Sequence, residues 1–217
     1  MSAAYGTRLI LVAIEAFLLG SIPTSYLLGK YVYGVDPREF GSGATGATNT
    51  ARAMGLTAGI VTALVDIFKG WLAIMLARQL IVPSEQFGLG GSQWAIGLAI
   101  IAVIAGHAFS PWLSFRGGKG VAVAGGAALA LWPPLIFIEL AILVGVALIS
   151  GYVGLGSIVA ACMLPVLIAF FEPTRYLPLI VSGAVAGLFI LWLHRENIVR
   201  LRAGNENKLT LGKSKRL

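Results

Sequence analysis

The chain has a single cysteine, Cys162, set in an apolar run, which excludes a disulfide framework and a thiolate metal cluster. Two histidines and nine acidic residues leave little material for a buried metal centre, and none is expected. With Asp36 and Asp66 as the only aspartates, the acidic metal cluster of a transferase acting on nucleotide-activated lipids cannot be built. Charged residues make up 12% of the 217, about half the share of an ordinary soluble domain. What remains is apolar: 58% of residues are hydrophobic and the mean hydropathy is +0.88, so the chain is not a soluble globular protein. The 28 glycines and 9 prolines are dispersed, which excludes a collagen-like chain and suits close helix packing in lipid.

A membrane-spanning helix uses about 20 apolar residues, so the chain has room for roughly five to seven spans and no soluble unit. Residues 1–217 therefore read as one all-α, polytopic integral membrane domain. The first run, 9–28, contains Glu15 and a patch from Gly20 to Ser25, and is too long for a signal-peptide core. Its Pro23 predicts a kink that frees a carbonyl. A second run, 56–81, carries Asp66 and Lys69, and a turn containing Pro83 and Gly88 to Gly91 leads to a third, 94–105. Residues 121–150 are apolar except at Trp132-Pro133-Pro134, and runs 152–171 and 176–193 follow.

Basic residues decide the count, because Lys and Arg gather in cytoplasmic loops. Lys30, Arg38 and Arg52, then Arg116 and Lys119, then Arg195, Arg200, Arg202, Lys208, Lys213, Lys215 and Arg216 account for twelve of the sixteen. These three segments belong on one side. Splitting 121–150 at the Trp-Pro-Pro turn gives seven spans with the N-terminus outside and the C-terminus inside; five spans also satisfy parity, and seven is the expectation. The net charge of +7 is thus juxtamembrane, suited to anionic lipid and not to nucleic acid, since no basic helix alternates with aromatics outside the apolar runs.

The three basic segments carry the chemistry. The first holds Gly41-Ser42-Gly43-Ala44-Thr45-Gly46-Ala47-Thr48-Asn49, with a helix expected just after Asn49 and Arg52 about one turn in, so that amides and a helix N-terminus face an anion. The competing reading is a flexible loop with an Asn or Thr cap. In the second, Arg116-Gly117-Gly118-Lys119-Gly120 forms a possible phosphate cradle. It is not a nucleotide-hydrolysing loop, because glycine follows the lysine where a hydroxyl is needed. In the third, His194 and Asn197 share a face at i, i+3 if the helix continues, Arg200 lies further round, and Gly204 reads as a C-cap. Taken alone, His194 also fits a helix-end histidine bonded to carbonyls. Asp66 and Lys69, at i, i+3 inside a span, read as a polar site or an internal ion pair.

Read together, these motifs resemble the PlsY family, bacterial membrane-bound glycerol-3-phosphate acyltransferases that use acyl phosphate. The resemblance rests on Gly20 to Pro23 with Leu28-Gly29-Lys30; Gly41 to Gly43 with Gly46 to Asn49 and Arg52; Asp66 to Gly70; Gly106-His107 with Phe115 to Gly120; and His194, Asn197, Arg200, Gly204 and Glu206. Where the family usually has Asn after Gly-Ser-Gly, this chain has Ala44-Thr45.

The resemblance implies transfer of a fatty acyl group from acyl phosphate to glycerol 3-phosphate, giving lysophosphatidic acid and phosphate without cofactor or metal. It implies a bacterial inner-membrane location with a cytoplasmic active site, and it brings in the soluble acyl-phosphate-producing enzyme, PlsX, as a candidate partner. By this reading Ser42, Gly43, Thr48, Asn49 and Arg52 hold a phosphate; Arg116, Gly117, Gly118, Lys119 and Gly120 cradle a second; His194 and Asn197 orient the substrates; and Asp66, Lys69, His107, Arg200 and Glu206 support them. A His-Asp dyad is disfavoured, because Trp112 stands five residues after His107 and Val199 five after His194. The rival from another class is a transporter of glycerol phosphate or phosphate, for which internal repeats would speak, and none is visible.

Overall fold

A computed structural model describes residues 3–81, 88–171 and 177–209, and these are helical with short connections, without strands. Arg175, Lys213, Lys215 and Arg216, and the turn residue Pro83, lie outside the described residues. The first apolar run is two helices, α1 (Ala3–Ser21) and α2 (Thr24–Leu28), the second continuing as a π-helical turn, Gly29–Tyr33. The break falls at Ile22-Pro23, as the missing proline N–H requires. Two carbonyls at the break find side-chain partners: Lys69 Nζ donates to Ile22 O at 3.0 Å and Ser110 Oγ to Ser21 O at 2.6 Å.

α3 (Ala47–Met54) has Gly46 as its N-cap and begins three residues before the start expected from sequence, so Asn49 lies within the helix and does not cap it. α4 (Leu56–Leu80) follows, then α5 (Gly88–Ala108). Gly88 to Gly91, read from sequence as a turn, form the first turn of α5, because extending an existing helix by a turn costs far less than nucleating one. The 121–150 run divides where expected: Trp132 leaves α6 (Val121–Leu131) in an extended conformation, and Pro134 occupies the first position of α7 (Pro134–Ser150), where its lost N–H is harmless. α8 (Val153–Phe171), α9 (Leu177–Leu193) and α10 (Arg195–Arg202) complete the chain, with a bend of 55° between the last two. Among the described residues four helices are long and apolar enough to cross a membrane, five if α9 and α10 count as one span; α6 and α7 are shorter.

Burial follows the logic of lipid. α4 exposes Ile60, Leu64 and Phe68 while burying Ala58, Gly59, Ala73 and Ala77. Large apolar side chains face outward and small ones let helices approach. Two crossings are built from reciprocal glycines. A side chain on Gly20 of α1 would strike the Val103 carbonyl of α5, and one on Gly106 of α5 would strike that of Phe17. α4 and α6 repeat the device, with Gly70 against Val123 and Gly126 against Ile67. These contacts bring Lys69, His107 and the start of α6 to the same end of the bundle.

Candidate active site

Under that end lies a buried ionic cluster. The Lys69 ammonium has three N–H groups and three acceptors: Asp66 Oδ1 at 2.8 Å, His107 Nδ1 at 3.0 Å and the Ile22 carbonyl. Because His107 Nδ1 accepts, the ring proton sits on Nε2. Thr24 Oγ1 donates to Asp66 Oδ1 at 3.0 Å, so the cluster ties α2, α4 and α5 together across the proline break. Of the two readings open from sequence, the geometry fits an internal ion pair that holds helices in place, and Asp66 and His107 also border the cavity described below. Lys69→Met leaves the Asp66 carboxylate without its counter-charge and His107 Nδ1 and the Ile22 carbonyl without a donor in a buried setting, and should destabilise the fold by about 3–5 kcal/mol. Thermal unfolding in detergent checks this, with Asp66→Asn expected to be milder because it keeps an acceptor.

Above the cluster, the second basic segment folds back on α5. Gly117 N donates to Ala108 O at 2.9 Å and Gly118 N to His107 O at 3.1 Å. These amides cap α5 and are therefore not free to cradle a phosphate, which corrects that part of the sequence reading. A side chain on Gly118 would collide with the His107 ring, so glycine lets the segment lie flat. Gly120 takes a left-handed conformation at φ 78° and starts α6. The first-turn amides of α6 have no intrahelical acceptor and stand beside Lys119. Arg116 is exposed and lies off the cavity wall. Arg116→Ala is expected to keep turnover within about threefold of wild type, in line with an exposed charge; a kinetic assay decides.

A cavity of about 310 Å³ opens between these elements. Its polar end is formed by Ser42, Thr48, Lys119, Gly120, His194 and Asn197, so the N-termini of α3 and α6 both meet it. Its other arm runs along α6, α7 and α8 past Ala128, Ile136, Leu143 and Leu164 and is apolar. A ligand with an anionic head and a hydrocarbon tail fits this division.

The third segment supplies the wall opposite α6. His194 is buried at the bend, with Nδ1 2.8 Å from the Ile190 carbonyl. Only a protonated Nδ1 can bond a carbonyl, so Nε2 keeps its lone pair. The helix-end reading of His194, bonded to a carbonyl, thus describes Nδ1, and Nε2 is left as a free acceptor. Lys119 Nζ donates to Asn197 Oδ1, Asn197 Nδ2 donates to Glu206 Oε1 at 2.8 Å, and Arg200 Nε donates to Glu206 Oε2 at 2.8 Å. This relay fixes Lys119 from the far side of the cavity. Burial, reinforced by the like charge of Arg200, pushes the Lys119 ammonium down to about 8. Gly204, left-handed at φ 70°, ends α10 as expected and turns Glu206 back inward.

In the first segment, Ser42, Thr48 and Asn49 all border the cavity, but Asn49 spends its amide on the loop: Nδ2 donates to Pro37 O at 2.8 Å and Oδ1 accepts from Ser42 N at 3.0 Å. Gly43 is left-handed at φ 69° and off the cavity wall. Arg52, expected from sequence to hold a phosphate, is off the cavity wall, and its Nη2 donates to the Asn207 carbonyl at 3.4 Å. Sequence reasoning missed two residues here. Ser25 joins α2 to α3 through Thr50, 2.6 Å between hydroxyls, and Gly154 makes room for Asn197, since a Cβ there would lie 2.7 Å from Nδ2. The signal for Gly154 was its place between Gly151 and Gly156, a glycine run at the site end of two apolar stretches.

Known proteins resemble the chain over most of its length. The family model for glycerol-3-phosphate acyltransferase matches residues 10–204. The chain is similar to glycerol-3-phosphate acyltransferase 2 of Moorella thermoacetica, 43% identical over 92% of this chain and 97% of the relative. It is 42% identical to the glycerol-3-phosphate acyltransferase of Thermosynechococcus vestitus, over 92% and 94% of the two chains. Crystal structures of PlsY, an integral membrane glycerol 3-phosphate acyltransferase, superpose with TM-scores of 0.81 in the glycerol 3-phosphate form and 0.79 in the lysophosphatidic acid form, at 32% identity. They cover 93% of this chain and 96% and 95% of the respective solved chains. A match that takes in the first two basic segments, the third as far as residue 204, and nearly the whole helical bundle leaves one conclusion: the chain belongs to the glycerol-3-phosphate acyltransferase family of multi-pass integral membrane proteins.

Proposed function

We propose that the chain transfers a fatty acyl group from acyl phosphate to glycerol 3-phosphate, releasing lysophosphatidic acid and inorganic phosphate, the first step of bacterial phospholipid synthesis. The observation that carries this reading is the two-part cavity, polar where Lys119, His194 and two helix N-termini meet and apolar along α6 to α8. Family membership sets the transporter aside.

An acyl phosphate is a mixed anhydride with a good leaving group, so the enzyme need not form a covalent intermediate; positioning and charge stabilisation suffice. The glycerol hydroxyl attacks the acyl carbon, the bond from that carbon to the phosphate oxygen breaks, and phosphate leaves with the electron pair. Lys119 and the first-turn amides of α6 hold phosphate and the charge that develops on it. Ser42, Thr48 and the α3 amides hold the other phosphate, with Arg52 contributing its charge from off the cavity wall. His194 Nε2 accepts a hydrogen bond from the attacking hydroxyl and aims it. The relay through Asn197, Glu206 and Arg200 keeps Lys119 in place, and the Asp66–Lys69–His107 cluster supports the segment from below.

The whole chain serves as one membrane domain with seven spans, α6 and α7 forming a pair joined by the Trp-Pro-Pro turn. The N-terminus is outside, and the active site and basic C-terminal segment face the cytoplasm of a bacterial inner membrane. This orientation rests on the basic segments, which gather at the site end. A soluble acyl-phosphate-producing enzyme, PlsX, delivers the donor on that side. Purified protein in detergent, given glycerol 3-phosphate and palmitoyl phosphate without metal or nucleotide, should form lysophosphatidic acid and phosphate in equal amounts. Phosphate release without lipid product would make it a hydrolase and overturn the proposal.

A further inference from the structure

One acidic side chain in the cavity takes no part in the chemistry above. Glu139 of α7 lines the apolar arm beside Ile136, Leu140 and Leu143. Its Oε1 is buried and has no hydrogen-bond partner among the described residues. At 1.5 Å per residue Glu139 stands about 16 Å from the Ser150 end of α7, and Ala128, across the cavity, about 12 Å from Gly120. The carboxyl is therefore at the deep end, far from Lys119 and from the reacting atoms. Partnerless ionisable groups at such depth are costly and mark function by default. The other acid of the interior that borders the cavity, Asp66, is fully engaged with Lys69 and Thr24. Glu15 also lacks a partner, but it lies on α1, off the cavity.

We infer that Glu139 is a polar stop that sets the length of acyl chain the cavity accepts, an inference that rests on the acyl-phosphate reading of the same site. A hydrocarbon chain laid along α6 to α8 gains contact with each methylene until it reaches the carboxyl. There it strips solvent from the second carboxylate oxygen, Oε2, which unlike Oε1 is not sealed off, and offers no hydrogen bond in return. Chains that end short of Glu139 are used well, and chains that must pass it are penalised. An apolar residue of similar size removes the penalty, whereas glutamine keeps it, being polar and of the same shape.

The test is a series of saturated donors, decanoyl, dodecanoyl, myristoyl, palmitoyl and stearoyl phosphate, with glycerol 3-phosphate saturating. The readout is the ratio of kcat/KM for stearoyl to that for dodecanoyl phosphate, taken within each protein so that a general loss of activity does not disguise it. In the wild type kcat/KM should pass through a maximum inside the series. Glu139→Leu and Glu139→Met should raise the ratio about tenfold, the effect of no longer burying a polar group against hydrocarbon. Glu139→Gln should keep the wild-type profile. A wild-type profile that rises without a maximum through stearoyl phosphate would overturn the inference, even if neither apolar variant can be purified folded, and so would an unchanged ratio in active Leu and Met variants. Absence of transfer from every donor by the wild-type protein would instead overturn the acyltransferase reading itself.

Discussion

Lys119→Ala should lower kcat/KM by about 10²- to 10³-fold, the usual effect of removing one preorganised donor from developing charge in a site shielded from water. Lys119 is held by Asn197 Oδ1 against the free amides of α6, so its removal subtracts charge without releasing an element of the fold. The protein should elute from size exclusion as the wild type does. The same residue gives the reaction a pH signature. Burial lowers its pKa to about 8, so the ammonium is present below that pH and lost above it. The profile of kcat/KM, which reports the free enzyme, should fall as pH rises through about 8. Lys119→Arg keeps a charge that does not titrate in this range and should flatten that limb, whatever its absolute rate. A wild-type profile level to pH 10, or Lys119→Ala at the wild-type rate, would remove Lys119 from the site.

His194→Asn should lower kcat by about 10²- to 10⁴-fold, the range associated with losing a positioned acid or base group. The bond from Nδ1 to the Ile190 carbonyl fixes both the tautomer and the ring plane and leaves Nε2 as the acceptor. Asparagine can restore a bond to that carbonyl through its amide but cannot reach the cavity with a second acceptor. The shape of the residual pH profile then says how the proton leaves. If His194 takes it, high pH should partly rescue the variant. An unchanged profile assigns the proton to a substrate phosphate oxygen, with His194 aiming the hydroxyl. Turnover within a few-fold of wild type would place His194 outside the reaction.

Legibility in the sequence followed the range of each interaction. Helix position was readable because a lipid-facing helix must be apolar for its whole length, and the Pro23 and Trp132-Pro133-Pro134 breaks appear where local chemistry dictates. Helix ends were less readable. Gly88 to Gly91 look like a turn, yet they are helical because the long apolar helix behind them propagates back through them. The clustering of Ser42, Thr48, Lys119, His194 and Asn197 on one cavity was foreshadowed by three small-residue and basic segments that the charge pattern assigns to one side. Which donors are already spent was not visible. The amides of Gly117 and Gly118, and the side chain of Asn49, are committed to α5 and to the 37–42 loop through contacts that sequence spacing does not encode. Gly154 escaped notice for a similar reason, since its importance lies in the volume Asn197 needs, a residue 43 positions away in this numbering.

The most direct test of the central claim is a structure determined with glycerol 3-phosphate bound. The account predicts a phosphate within hydrogen-bond distance of protein donors at the polar end of the cavity, from Lys119 and the α6 amides or from the α3 side, with a glycerol hydroxyl at His194 Nε2 and the carbon chain leading toward the apolar arm. A phosphate held on the exposed face by Arg116 or Lys30, with the cavity free of ligand, would contradict it.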